Sequence, residues 1–151
     1  MGRVSTGVRG IRLSQNTDDE VIGMVTVLDP ENTTILTVSE KGFGKRSYSE
    51  AYRLVKRGGK GVKTMTINEK TGKLIALKSV SDNEDLMIIN KSGILIRMAV
   101  SEVRTAGRDT QGVKLIRLKS GDEIAAVAKV LAKEQEEEAV DPSSEDDETA
   151  T

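Results

Sequence analysis

One phrase occurs three times in this chain and limits what the chain can fold into. The middle copy reads Lys56-Arg57-Gly58-Gly59-Lys60-Gly61-Val62-Lys63. The upstream copy is Arg3-Val4-Ser5-Thr6-Gly7-Val8-Arg9, and the downstream copy is Arg108-Asp109-Thr110-Gln111-Gly112-Val113-Lys114. In each, an Arg stands four residues before a Gly, and Val and a basic residue follow. Gly7 and Gly61 are 54 residues apart, and Gly61 and Gly112 are 51 apart. A period of about fifty residues is the mark of a repeat architecture.

Between the phrases the pattern is that of short strands and tight turns. Val21–Leu28 is rich in β-branched residues and bounded by polar turn residues, so it reads as a strand. Asp29-Pro30-Glu31-Asn32 is a turn, and Thr34–Val38 a second strand. Gly42-Phe43-Gly44-Lys45-Arg46 reads as a basic hairpin tip leading into Ser47–Tyr52. The second repeat retraces this order. Val62–Ile67 is a strand, Asn68–Gly72 a turn and Leu74–Val80 a strand. Asp82-Asn83-Glu84 then turns the chain into Leu86–Ile89, and Lys91-Ser92-Gly93 forms a tip before Ile94–Val100. A third repeat begins at Gly112. Its segment from Glu123 onward resembles a helix in composition, yet it falls where Leu74–Leu77 falls, so we assign strand through about Leu131.

In the phrase strands the apolar residues are Val8, Ile11, Leu13; Val62, Met65, Ile67; and Val113, Ile116, Leu118. A step of three before a step of two breaks the alternation of a regular strand and predicts a β-bulge in each copy.

Repeats of about four strands each predict an all-β, propeller-like fold of four-stranded blades, with about two and a half blades present. A closed propeller needs at least four. The chain is therefore expected to be a piece of something larger, with Met1 not a native start, or to leave a blade edge open to another chain.

Composition narrows the chemistry. There is no Cys and no His, which removes thiolate nucleophiles, disulfides, Cys-based zinc sites and the commonest general base. No apolar run is long enough to span a bilayer and no signal peptide opens the chain, so we expect a cytosolic protein with no membrane partner. Nothing clusters into an acid–base pair or metal cage.

Charge is divided unevenly. From Glu134 onward there are nine acidic residues and no basic one, whereas residues 1–133 hold all 23 bases against 15 acids, a net of +8. A basic body with an acidic tail suggests a polyanion-binding surface that the tail can mask. The tail, residues 132–151, has no means of burying a core and is expected to be disordered. Aromatics are 2% of the chain, too few to stack single-stranded bases. Duplex phosphates are the better match, because cations on turns and glycine N–H groups both serve them. The candidate DNA-binding residues are Arg9, Lys45, Arg46, Arg57, Lys60, Lys63, Arg97, Arg108 and Lys114.

Several stretches carry a specific resemblance. Gly7-Val8-Arg9-Gly10-Ile11-Arg12-Leu13, Gly42-Phe43-Gly44-Lys45-Arg46, Leu95-Ile96-Arg97 and Gly107-Arg108-Asp109-Thr110-Gln111-Gly112-Val113 resemble blades of the gyrase A C-terminal domain, part of a DNA topoisomerase. The resemblance runs from residue 1 to about 131, and the acidic tail fits it. It implies a β-pinwheel, a propeller relative whose neighbouring blades exchange strands, of which residues 1–131 would be the last blades. It also implies that double-stranded DNA wraps around a basic rim and that negative supercoils are introduced by the whole enzyme. The partners implied are the remainder of the gyrase A protein together with the gyrase B protein, in the bacterial cytoplasm at the nucleoid. No cofactor belongs to this chain, since ATP and Mg2+ act in the holoenzyme elsewhere. The family's Gln-Arg-Arg-Gly-Gly-Lys-Gly box is matched only by a degenerate copy, Lys56–Gly61, with Val55 in the place of Gln. Tyr48 and Tyr52 sit inside a blade and are not the nucleophile. The related protein of topoisomerase IV shares the fold, and a propeller-type protein-interaction module is a reading from another class, though one that leaves the basic body unused.

Overall fold

The computed structural model describes residues 2–132; the acidic tail, from residue 133 onward, lies outside the described residues. The chain is all-β. Its strands are β1 (Thr34–Ser39), β2 (Phe43–Tyr48), β3 (Leu74–Val80), β4 (Glu84–Asn90), β5 (Leu95–Ala99), β6 (Val113–Lys114) and β7 (Ile124–Leu131). Single 3-10 turns, Ser49–Ala51 and Val100–Glu102, follow β2 and β5.

Two antiparallel sheets form, with strand orders β3-β1-β2-β6 and β5-β4-β7. Each is built on a local hairpin, β1–β2 or β4–β5. Each is then completed by a strand from the next repeat, β3 adding to β1 and β7 to β4, and β6 reaches back two repeats to β2. Strand exchange between repeats is thus visible within this chain. The sheets share one core of aliphatic side chains, among them Leu36, Val38 and Val80 from the first, Leu86, Ile88 and Ile124 from the second. With a single Phe and no Trp, these branched residues supply the apolar burial that holds the blades together.

The β4, β5, β3 and β7 assignments agree with the sequence pattern, including strand rather than helix at Ile124–Leu131. Four expectations are corrected. Val21–Leu28 forms no strand and is largely exposed. Its counterparts β3 and β7 are strands because each finds the first strand of a hairpin one repeat earlier; among the described residues no such hairpin precedes Val21. Val62–Ile67 is not a strand either, for the same reason: its counterpart β6 pairs with β2, and no described strand occupies that place for Val62. Phe43 to Arg46 are not a tip but the buried body of β2, and the tip is Glu40-Lys41-Gly42, with Gly42 N bonded to Ser39 O at 3.1 Å. Finally, the step of three in the phrase is no bulge within a strand. The pairing runs without a register shift from Gly44↔Val113 to Phe43↔Lys114, and Leu115 N continues it to Gly42 O at 2.8 Å. Register shifts occur instead at Val38/Ser39 and Ile89/Asn90.

The glycines of the phrase share one conformation. Gly7, Gly61 and Gly112 have φ of 78°, 82° and 82°, in the left-handed region that side chains disfavour. Gly112 has a second reason to lack a side chain. A Cβ there would lie 2.6 Å from Gly44 O, because the phrase passes directly over β2.

Candidate nucleic-acid interface

The three phrases lie side by side in a row. The first meets the second through Gly58 N to Gly10 O and Arg12 N to Gly59 O, both 2.8 Å, with a parallel bridge between Ile11 and Gly59. The second meets the third through Thr66 N to Thr110 O at 3.2 Å and Thr66 Oγ1 to Asp109 O at 2.6 Å. The Arg108 guanidinium donates to Lys63 O across the same seam. Each phrase leaves backbone groups unpaired within itself, so its neighbour satisfies them. The result is a ribbon of turns along one side of the blades.

Exposed cations stand along this ribbon. Arg9, Arg57, Lys60, Lys63 and Lys114 all have exposed side chains. Between the first two phrases is an open groove of about 880 Å³, lined by Arg9, Arg12 and Lys60 with Ile11, Ser14 and Asp19 among its other walls. Arg12 was not among the candidates. Its signal was present in the spacing, because it continues the basic run of the first phrase three residues after Arg9.

The remaining candidates are engaged with the protein itself, and two of them hold the third phrase in place. Lys45 is fully buried in β2, and its ammonium donates to Gly107 O at 2.6 Å and to Arg108 O. Burial pushes its pKa below the usual lysine value, with Asp109 opposing that shift and Arg108 and Lys63 adding to it. Arg46 is also buried; its Nε donates to Val103 O at 2.8 Å and its guanidinium pairs with the exposed Asp82. Arg97, the counterpart of Arg46 one repeat later, donates to Asp85 Oδ2 at 2.7 Å and to Leu131 O at 2.8 Å. Arg108 is half-buried between Lys63 O and Asp109. These four side chains direct their donors at protein acceptors. Lys45 and Arg108 converge on the third phrase, whereas Arg46 anchors the chain just ahead of it, at Val103 to Ala106.

No group of three or more acidic, His or Cys side chains that could hold a metal ion occurs among the described residues, and no helix there is long and apolar enough to cross a membrane.

The family model for the DNA gyrase C-terminal domain, beta-propeller, matches residues 1–27, 33–81 and 84–130. The chain belongs to that family. It is 40% identical over all 151 residues to the DNA gyrase A protein of Staphylococcus aureus strain NCTC 8325, and 42% identical over 137 residues to that of strain MRSA252. It spans only 16% and 15% of those relatives' length. Among solved structures, a DNA gyrase A C-terminal domain superposes with a TM-score of 0.74 at 27% identity, over 83% of this chain and 41% of that one. The C-terminal domain of DNA topoisomerase IV superposes at 0.71 over 83% and 38%, but at 16% identity this likeness shows the fold alone.

Proposed function

We propose that this chain is a DNA-wrapping part of a gyrase A protein, with residues 1–131 as a partial β-pinwheel and 132–151 as an acidic tail. The observation that carries the reading is the row of phrases, which sets exposed cations at equivalent points along one edge of the blades. Arg9, Arg12, Arg57, Lys60, Lys63 and Lys114 contact successive phosphates, while Lys45 and Arg108 fix the third phrase and Arg46 and Arg97 brace the strands beneath. Such contacts position a duplex without reading its sequence. Many of them together offset a bending cost of about 1–6 kcal/mol for a site of this kind. The chain itself performs no chemistry. Strand passage, ATP hydrolysis and Mg2+ binding belong to the remainder of gyrase A and to gyrase B, which are its partners in a nucleoid-associated, cytoplasmic enzyme that introduces negative supercoils.

The test is duplex binding across a salt series by the 151-residue chain and by residues 1–131. The reading requires steeply salt-dependent binding, stronger without the tail if the tail competes for the same cations. Binding absent at low salt, or insensitive to salt, favours a protein-interaction module instead.

A further inference from the structure

A second basic groove lies away from the one between the first two phrases. Its walls carry Lys41 from the β1–β2 tip, Lys70 from the turn before β3, Lys114 from β6 and Lys119 from the turn before β7, in a cavity of about 390 Å³ floored by Phe43. The Lys70 and Lys114 ammonium groups lie 5.5 and 5.7 Å from the centre of the Phe43 ring, close enough for its negative face to hold them together. All four lysines are exposed, and none forms a salt bridge among the described residues. Lys41 alone donates to a backbone carbonyl, that of Glu69.

Two acids also border the groove, and both are engaged. Glu123 pairs with Lys91. Asp122 accepts from Asn90 Nδ2 at 2.7 Å and Ser92 Oγ at 2.8 Å, and the Ser92 bond foremost holds its carboxyl below its usual pKa. Asn90 and Ser92 are neutral, so the Asp122 charge remains and is felt by Lys119, yet four lysines against it leave the open site net positive, which calls for an anion. The groove is open and polar, which suits a backbone phosphate better than a small buried ligand.

The site depends on strand exchange. Phe43 is opposite Lys114 in the β2–β6 register, so the phrase brings Lys114 to the ring only by closing the first sheet. In the second sheet no described strand covers β5, and the counterpart of Phe43 is Ile94, half exposed and without a ring to hold ammonium groups.

We propose that Lys41, Lys70, Lys114 and Lys119 form a composite phosphate-binding site for the same duplex, assembled only where the third phrase closes the first sheet. The proposal rests on the DNA-wrapping reading above. Its test is binding of a mixed-sequence duplex by the full chain carrying Lys70→Gln and Lys119→Gln, singly and together, with melting temperature as the folding check. Each substitution is expected to lower the slope of log K against log salt by about one, and the pair to weaken low-salt binding about tenfold. Lys129→Gln, which removes the same charge from a pair with Glu84 outside the groove, is expected to leave the slope unchanged. Unchanged slopes for both groove variants, in a chain that binds DNA, would overturn the composite site and leave the wrapping reading standing. An equal loss in Lys129→Gln would also overturn it, since only the overall field would then matter. No binding by the unsubstituted chain at low salt would remove the wrapping reading itself.

Discussion

Val62-Lys63 and Val113-Lys114 are the same two residues in the same phrase, yet only the second pair is a strand. Their glycines share a φ of 82°, so local conformation does not separate them. The difference is what lies beside them. Val113 pairs with Gly44 and Lys114 with Phe43, and Lys45 reaches from beneath to bind the carbonyls of Gly107 and Arg108. The second phrase is bonded to the other two phrases on either side of Val62, at Gly58, Gly59 and Thr66, by turn-to-turn bonds that offer no strand edge. The same holds for Val21–Leu28 against β3 and β7. A ladder needs two strands, and a β-prone segment without an edge stays outside the sheet.

The sharpest way to break this comparison is to substitute the phrase glycines. Gly112→Ala meets both the left-handed φ and the Gly44 carbonyl, and is expected to cost about 2–5 kcal/mol of stability. Gly61→Ala meets the φ but only Ile11 Cδ1 at 3.5 Å, and should cost about 1–2 kcal/mol. Equal losses in chemical denaturation would contradict the closure of β6 over Gly44.

Lys45→Met is the next step. It removes the donor for two carbonyls of the third phrase and is expected to cost about 2 kcal/mol at neutral pH. The pH dependence carries a sign. Because the folded pKa of Lys45 is lowered, the unfolded chain binds more protons between that value and 10.5, so stability rises with pH through that window. Lys45→Met should lose this alkaline gain; a variant that keeps it would place the titration elsewhere.

Hydrogen exchange sharpens the contrast without mutation. The Leu115 amide, bonded to Gly42 O, is expected to exchange more slowly than that of Thr64, its counterpart in the second repeat, for which no backbone partner occurs among the described residues. Similar protection at both sites would mean that the second phrase is covered as well. The smallest effect is expected at Met24→Ser in the unpaired segment, where the side chain is 89% exposed and stability should change by less than about 0.5 kcal/mol.

The hairpin tip shows how a legible signal can be misread. Gly42 and Gly93 are 51 residues apart, as are Arg46 and Arg97. Since Ile94–Val100 reads as a return strand, the same offset puts Phe43–Arg46 in a strand too. The density of Lys, Arg and Gly there pointed to an exposed turn instead. Charge is a poor guide to exposure when a buried cation has carbonyls to bind, as Lys45 and Arg46 do. For the interface, the recurring phrase pointed to Arg9, Arg57, Lys60, Lys63 and Lys114 as exposed cations. The lysines proposed for the second groove, Lys41, Lys70 and Lys119, carry no such signal, because nothing in linear order relates the β1–β2 tip to turns 29 and 78 residues away.

What the sequence determined by itself is the repeat: its period, its recurring glycines, the scarcity of aromatic residues for its core and the uneven split of charge. These are properties of local backbone preference and composition, written at each position. Only the tertiary structure decided which copies of a repeated segment become strands, which cations are buried, and which lysines meet over Phe43. Those outcomes depend on the neighbour a segment finds, and identical residues given different neighbours have different lowest-energy states.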